Sequence, residues 1–167
     1  MKKTYLLLAC LLLTTAVLSV SAIDTTEVQL HSPHKAPPRL PDLPMTTTGG
    51  VQINAQALEG KVILILFQPD CDHCQREAEV IREHLEAFDE YALYFVAYAP
   101  MREIQQFAKD YRLDKQANIF FAYTDLQPIL DNFESIPTPS LYIYSDQQQL
   151  VKAFEGEAPI EKILEHL

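Results

Sequence analysis

From residue 58 onward, apolar positions fall into short runs separated by amphipathic stretches. Val62 to Phe67 is a continuous apolar run, as a strand buried on both faces requires. After Gln68-Pro69-Asp70 the period changes. Ala78, Ile81, Leu85 and Phe88 recur at helical spacing, and Arg76, Glu79, Arg82 and Glu83 take the wet side. This predicts a helix from about Cys71 to Phe88. Tyr91 to Ala99 reads as a second strand, and Arg102 to Leu113 as a second helix with Ile104, Phe107 and Ala108 inward. A third strand over Asn118 to Thr124 and a short helix over Pro128 to Phe133 follow. Leu141 to Tyr144 and Val151 to Phe154 read as two strands around the turn Asp146-Gln147-Gln148-Gln149, and Pro159 to Leu167 as a closing helix. Strands separated by helices, then a hairpin and a last helix, predict an α/β sandwich: a mixed central sheet with helices on both faces.

Upstream the pattern is different. Lys2 and Lys3 precede a nearly uninterrupted apolar run from Tyr5 to Leu18, and Val20-Ser21-Ala22 ends it with small residues where a signal peptidase reads. Residues 1–22 therefore read as a cleaved secretory signal, with an uncleaved membrane anchor as the rival. Leu7-Leu8-Ala9-Cys10 is a weak lipoprotein box, and cutting there would leave too short an apolar run. Residues 23–44 carry Pro33, Pro37, Pro38, Pro41 and Pro44 and predict an extended, largely unpaired linker. The folded domain is then expected over 45–167, its compact part beginning between Leu40 and Gln52.

The formal charge is −10, and loss of Lys2 and Lys3 with the leader would make it more acidic still. Such a surface does not attract nucleic acid or anionic lipid. Of the three cysteines, Cys10 would leave with the leader. Cys71 and Cys74 remain, two residues apart at a strand-to-helix junction. One helical turn lets two sulfurs close a disulfide, and free N–H groups at a helix N-terminus favour a thiolate at the first. Cys71 would be the exposed nucleophile and Cys74 the resolving thiol. A purely structural disulfide and half of a zinc site are the other uses. Zinc would need further ligands, and His31, His34, His84 and His166 show no ligand spacing.

Between the cysteines stand Asp72 and His73. A protonated His73 would stabilise a Cys71 thiolate, whereas Asp70 and Asp72 would oppose it. His73 as an ordinary solvent-facing residue is the plain alternative. Further on, Ile136-Pro137-Thr138-Pro139-Ser140 precedes an apolar run, where Pro139 is a candidate cis peptide or simply part of a rigid loop.

Leu40-Pro41-Asp42-Leu43, Leu58 to Phe67, the Cys71–Cys74 motif, Pro137-Thr138-Pro139 and Phe154-Glu155-Gly156 occur in order. Together they resemble the thioredoxin-like redoxins, and most of all the exported single-domain branch with the TlpA- and ResA-type proteins. The resemblance runs from about Leu40 to Leu167. It implies a thioredoxin-like sandwich and thiol–disulfide exchange, with Cys71 attacking and Cys74 resolving. Pro139 would be the cis-proline facing them, and Thr138 would offer backbone hydrogen bonds to a partner's extended segment. It further implies protein thiol or disulfide substrates and a separate redox partner, a monomer, no cofactor or metal, and a Gram-negative periplasm as the compartment. Three departures touch the direction of electron flow. Gln68-Pro69-Asp70 replaces the usual aromatic residue ahead of the motif. Ile65 stands where thioredoxins bury an acid. The Asp-His dipeptide replaces Gly-Pro and shares its histidine with oxidising disulfide-forming proteins. A peroxiredoxin-type thiol peroxidase and, more remotely, a copper-binding assembly protein on the same fold are the competing functions. Gln68 replaces the Thr the first would want, and the second uses a wider cysteine spacing.

Overall fold

The computed structural model describes residues 36–133 and 137–167. The expected leader (1–22) and linker residues 23–35 lie outside the described residues, as does Ile136.

The elements run β1 (Pro44–Thr47), β2 (Gln52–Asn54), β3 (Lys61–Leu66), α1 (Asp72–Glu83), β4 (Tyr91–Ala97), α2 (Met101–Asp110), β5 (Ile119–Tyr123), α3 (Leu126–Phe133), β6 (Ser140–Tyr144), β7 (Leu150–Glu155) and α4 (Ile160–Leu164). The strands form one seven-stranded sheet in the order β2-β1-β5-β4-β3-β6-β7. β3 runs parallel to β4, and β4 to β5, while β6 is antiparallel to β3 and β7 to β6. This is the mixed sheet of a thioredoxin-like sandwich. The apolar run at β3 follows from its place. Ile63, Ile65 and Phe67 belong to the core cluster that includes Ala78, Ile81, Phe107 and Ile163, from α1, α2 and α4. Val62, Leu64 and Leu66 point to the other face, where Leu40, Leu43, Ile129 and Phe133 close over them. A strand walled on both sides has no wet position to alternate with.

Several boundaries differ from the sequence reading, each for a physical reason. The predicted helix to Phe88 stops at Glu83, and Leu85–Phe88 tightens into a 3₁₀ turn that buries Phe88. The helix expected to reach Leu113 ends at Asp110. Arg112 turns left-handed (φ 57°), its N–H bonds to Lys109 O and the Leu113 N–H reaches back to Ala108 O, a Schellman closure. The stretch read as an unpaired linker is docked along its last residues. Leu40 and Leu43 are buried, the Leu40 N–H donates to Gln148 O, and the Leu150 N–H donates to Pro38 O. The packed domain thus begins upstream of residue 45, because two leucines among the prolines cover the β6 side of the sheet. The β1–β2 hairpin was not foreseen.

At the end of β3, Phe67 is wedged among Phe95, Phe107 and Phe121, with ring centroids 5.8, 4.7 and 6.0 Å away. Its N–H donates to Val96 O at 3.1 Å. Removing such a ring costs about 3–5 kcal/mol. This anchor fixes where the chain leaves the sheet, and hence where Cys71 begins.

Candidate active site

Cys71 is the N-cap of α1, in extended conformation (φ −90°, ψ 114°), and its Sγ accepts the Cys74 N–H at 3.3 Å. Asp72 follows in the first turn, where a negative charge complements the helix dipole. Cys71 is half-buried and Cys74 is buried, and both are free thiols. Burial first, and the hydrogen bond with Cys71 second, push the Cys74 thiol far above the ordinary thiol range. The two sulfurs are therefore unequal. Cys71 is reachable and capped by a backbone N–H, whereas Cys74 keeps its proton.

From the far end of the sequence, the loop before β6 meets this pair. The Thr138–Pro139 peptide is cis. Cys71 Sγ lies 3.5 Å from Thr138 O, to which its S–H donates, and Thr138 Oγ1 stands 3.9 Å from the same sulfur. Ser140, buried, donates from its hydroxyl to Pro137 O and tightens the loop. The fold thus brings Thr138, in the cis Thr138–Pro139 peptide, against Cys71, with Cys74 one turn behind.

The flanking charged residues lie at the surface. Asp70 and Asp72 are exposed. His73 is also exposed, and its Nδ1 lies 2.5 Å from Glu157 Oε2 and 2.6 Å from Arg76 Nη2. Arg76 grips the same carboxylate with two donors, Nε to Oε1 at 3.0 Å and Nη2 to Oε2 at 2.8 Å. These bonds, Arg76's first and His73's second, hold the Glu157 carboxyl down at about 2. His73 therefore belongs to a three-residue cluster with Arg76 and Glu157.

Sequence reasoning missed Glu77. It is only 4 % exposed, and neither carboxylate oxygen has a hydrogen-bond partner among the described residues. Burial, and then the nearby Glu157 charge, raise its carboxyl to about 8. A signal was present: position 77 falls one turn from both Cys74 and Ile81, on the inward face of α1. Ile65 is buried and apolar, whereas the Glu77 side chain of α1 is buried beside Glu157, Ile160 and Ile163.

A family model described as the AhpC/TSA family matches residues 38–153. No curated protein matches the chain. Among solved structures, it is similar to a secreted Mycobacterium tuberculosis disulfide oxidoreductase homologous to E. coli DsbE. That match has a TM-score of 0.63 at 16% identity, covering 75% of this chain and 93% of that one. M. tuberculosis dsbF gives a TM-score of 0.63 at 18% identity, with 79% and 96% covered. A peroxiredoxin-like protein from Aquifex aeolicus gives 0.62 at 10% identity, with 78% and 84% covered. At these identities the structural matches speak for the fold. With the family model spanning most of the chain and the fold agreeing, the chain belongs to the AhpC/TSA family and has a thioredoxin-like fold.

Proposed function

We propose that the protein is an exported thiol–disulfide oxidoreductase that exchanges disulfides with protein substrates through Cys71 and Cys74. The observation that carries this reading is the inequality of the two sulfurs facing the Thr138–Pro139 loop. Cys71, half-buried at the N-terminus of α1, lies 3.5 Å from Thr138 O, and Cys74 is buried one turn behind it.

Acting as a reductant, the Cys71 thiolate attacks one sulfur of a partner disulfide. The partner's S–S bond breaks, a Cys71–partner disulfide forms, and the partner's other sulfur leaves as a thiolate that takes a proton. Cys74 then loses its proton and attacks Cys71 Sγ. The Cys71–Cys74 disulfide forms, and the partner's second sulfur leaves reduced. Two electrons pass to the partner, and the same steps in reverse oxidise a dithiol. Thr138, half-exposed beside Cys71, has backbone groups suited to an extended segment of the partner. Glu77, on the inward face of α1 with Cys74, is a buried carboxyl able to exchange a proton near neutral pH.

Export is supported by the leader-like pattern of residues 1–22 and by the secreted M. tuberculosis relative in fold. Among the described residues no helix is long and apolar enough to cross a membrane.

Reduction of insulin disulfides by dithiothreitol tests the reading. The mature chain should accelerate it and Cys71→Ser should fall to background; an active Cys71→Ser variant would refute the assignment. The direction of electron flow follows from the reduction potential of the couple: about −270 mV marks a thioredoxin-like reductant and about −120 mV a strong oxidant. A second reading, thiol peroxidase, draws on the family match and the Aquifex neighbour. Gln68 stands three residues before Cys71, where that chemistry wants Thr, so peroxide consumption with a thiol donor should stay near that of free thiol.

A further inference from the structure

Two consecutive residues of the β7–α4 loop hold both halves of the site. Gly156, at φ +88°, donates its N–H to Pro139 O at 2.8 Å. That left-handed turn suits glycine. Next to it, Glu157 receives the two-pronged Arg76 guanidinium and His73 Nδ1 on its carboxylate. One peptide thus ties the Thr138–Pro139 loop to the first turns of α1.

Two explanations compete for the Glu157 cluster. As a surface ion pair its worth to stability is small, because the side chains of Arg76, His73 and Glu157 are 49%, 62% and 35% exposed. As a charge setting beside a reactive sulfur it acts instead on the thiol–disulfide equilibrium. Arg76 and His73 both lie in the first turns of α1, on the helix end that Cys71 caps. Glu157 therefore decides how much of the Arg76 charge is left for Cys71. It also lies 81 residues from Arg76 in sequence, so only the completed fold brings it there.

We propose that Glu157 is a positioning residue for the redox pair: it holds Arg76 and His73 and partly neutralises their charge, and so sets how strongly the dithiol form is favoured. This deepens the disulfide-exchange reading and rests on it. The charge signs make it specific. Without the Glu157 charge, Arg76 is left unmatched and stabilises a Cys71 thiolate. The dithiol gains relative to the disulfide, and the couple becomes more oxidising. Without the Arg76 charge, Glu157 and Asp72 are left unmatched, and the couple becomes more reducing.

The test is the equilibrium of the intact mature chain with glutathione at pH 7 and low salt, for wild type, Glu157→Gln, Arg76→Gln and the double variant. Glu157→Gln should move the dithiol–disulfide constant roughly two- to fivefold toward dithiol, and Arg76→Gln by a similar factor toward disulfide. The double variant should return close to wild type, and the shifts should shrink in high salt. A purely structural clasp would move both single variants the same way, or move stability alone; either result, or no shift, overturns the proposal. Failure of the underlying function looks different: the wild-type chain would not reduce insulin, whatever the constants of the variants.

Discussion

The first two turns of α1 present two environments, each with a glutamate at its centre. Outward, Arg76 and His73 meet the Glu157 carboxylate at the surface. Inward, Cys74 and Glu77 are sealed among apolar side chains, and the Glu77 carboxyl has no hydrogen-bond partner among the described residues. The contrast separates stability from reactivity. Matched charges in solvent contribute little to the fold yet act on whatever reacts beside them. A lone acid in the core costs stability and answers to pH. Cys71 sits at the border of the two, capped by the helix and open to a partner.

The sharpest way to break the contrast is chemical. Under reducing conditions at neutral pH, iodoacetamide should label Cys71 roughly a hundredfold or more faster than Cys74, as read by peptide mass spectrometry. Equal rates would erase the distinction between outer and inner thiol.

Next in size is the inward acid. Its carboxyl is raised from 4.5 to about 8 in the folded chain, so the fold favours the protonated form. From pH 4.5 to about 8 the unfolded chain has released this proton and the folded chain has kept it, so stability falls as pH rises through that window. Glu77→Gln should flatten the fall, gaining on the order of 3–5 kcal/mol at pH 9 and almost nothing at pH 4, in urea unfolding. An unchanged pH profile would mean that Glu77 is solvated.

On the outward side, the Glu157 carboxyl should titrate near 2 in a ¹³C NMR titration and move back up in Arg76→Gln. Its lowered position means that the ion-pair contribution is present above the ordinary carboxylate range and lost as pH falls through about 2. The smallest effect belongs to folding itself. Arg76→Gln should leave the urea unfolding midpoint nearly unchanged, the more so in high salt. A larger loss would recast the cluster as a structural element.

Much of this molecule is legible in its sequence because local patterns decide it. The apolar run at β3 gave a two-sided strand, and the spacing of Cys71 and Cys74 after it gave the redox pair. What escaped reading depended on contacts between distant segments. β1 and β2 are short and rich in Thr, Gln and Asn, so no alternation announces them; they exist because β5 offers β1 an edge. Leu40 and Leu43, set among prolines, resemble linker until the β6 side of the sheet receives them. Glu77 is of a residue type that ordinarily faces water, although its position on the helix points inward. Glu157 could not be found at all: its role exists only once the β7–α4 loop crosses to α1.

The central claim, that Cys71 attacks and Cys74 resolves, is tested most directly by trapping. Cys74→Ser, incubated with oxidised insulin and quenched with acid, should accumulate a mixed disulfide through Cys71, identified by mass spectrometry of the linked peptides. The Cys71→Ser chain should accumulate none. Linkage through Cys74 in the Cys71→Ser chain, or no adduct from Cys74→Ser, would contradict the account.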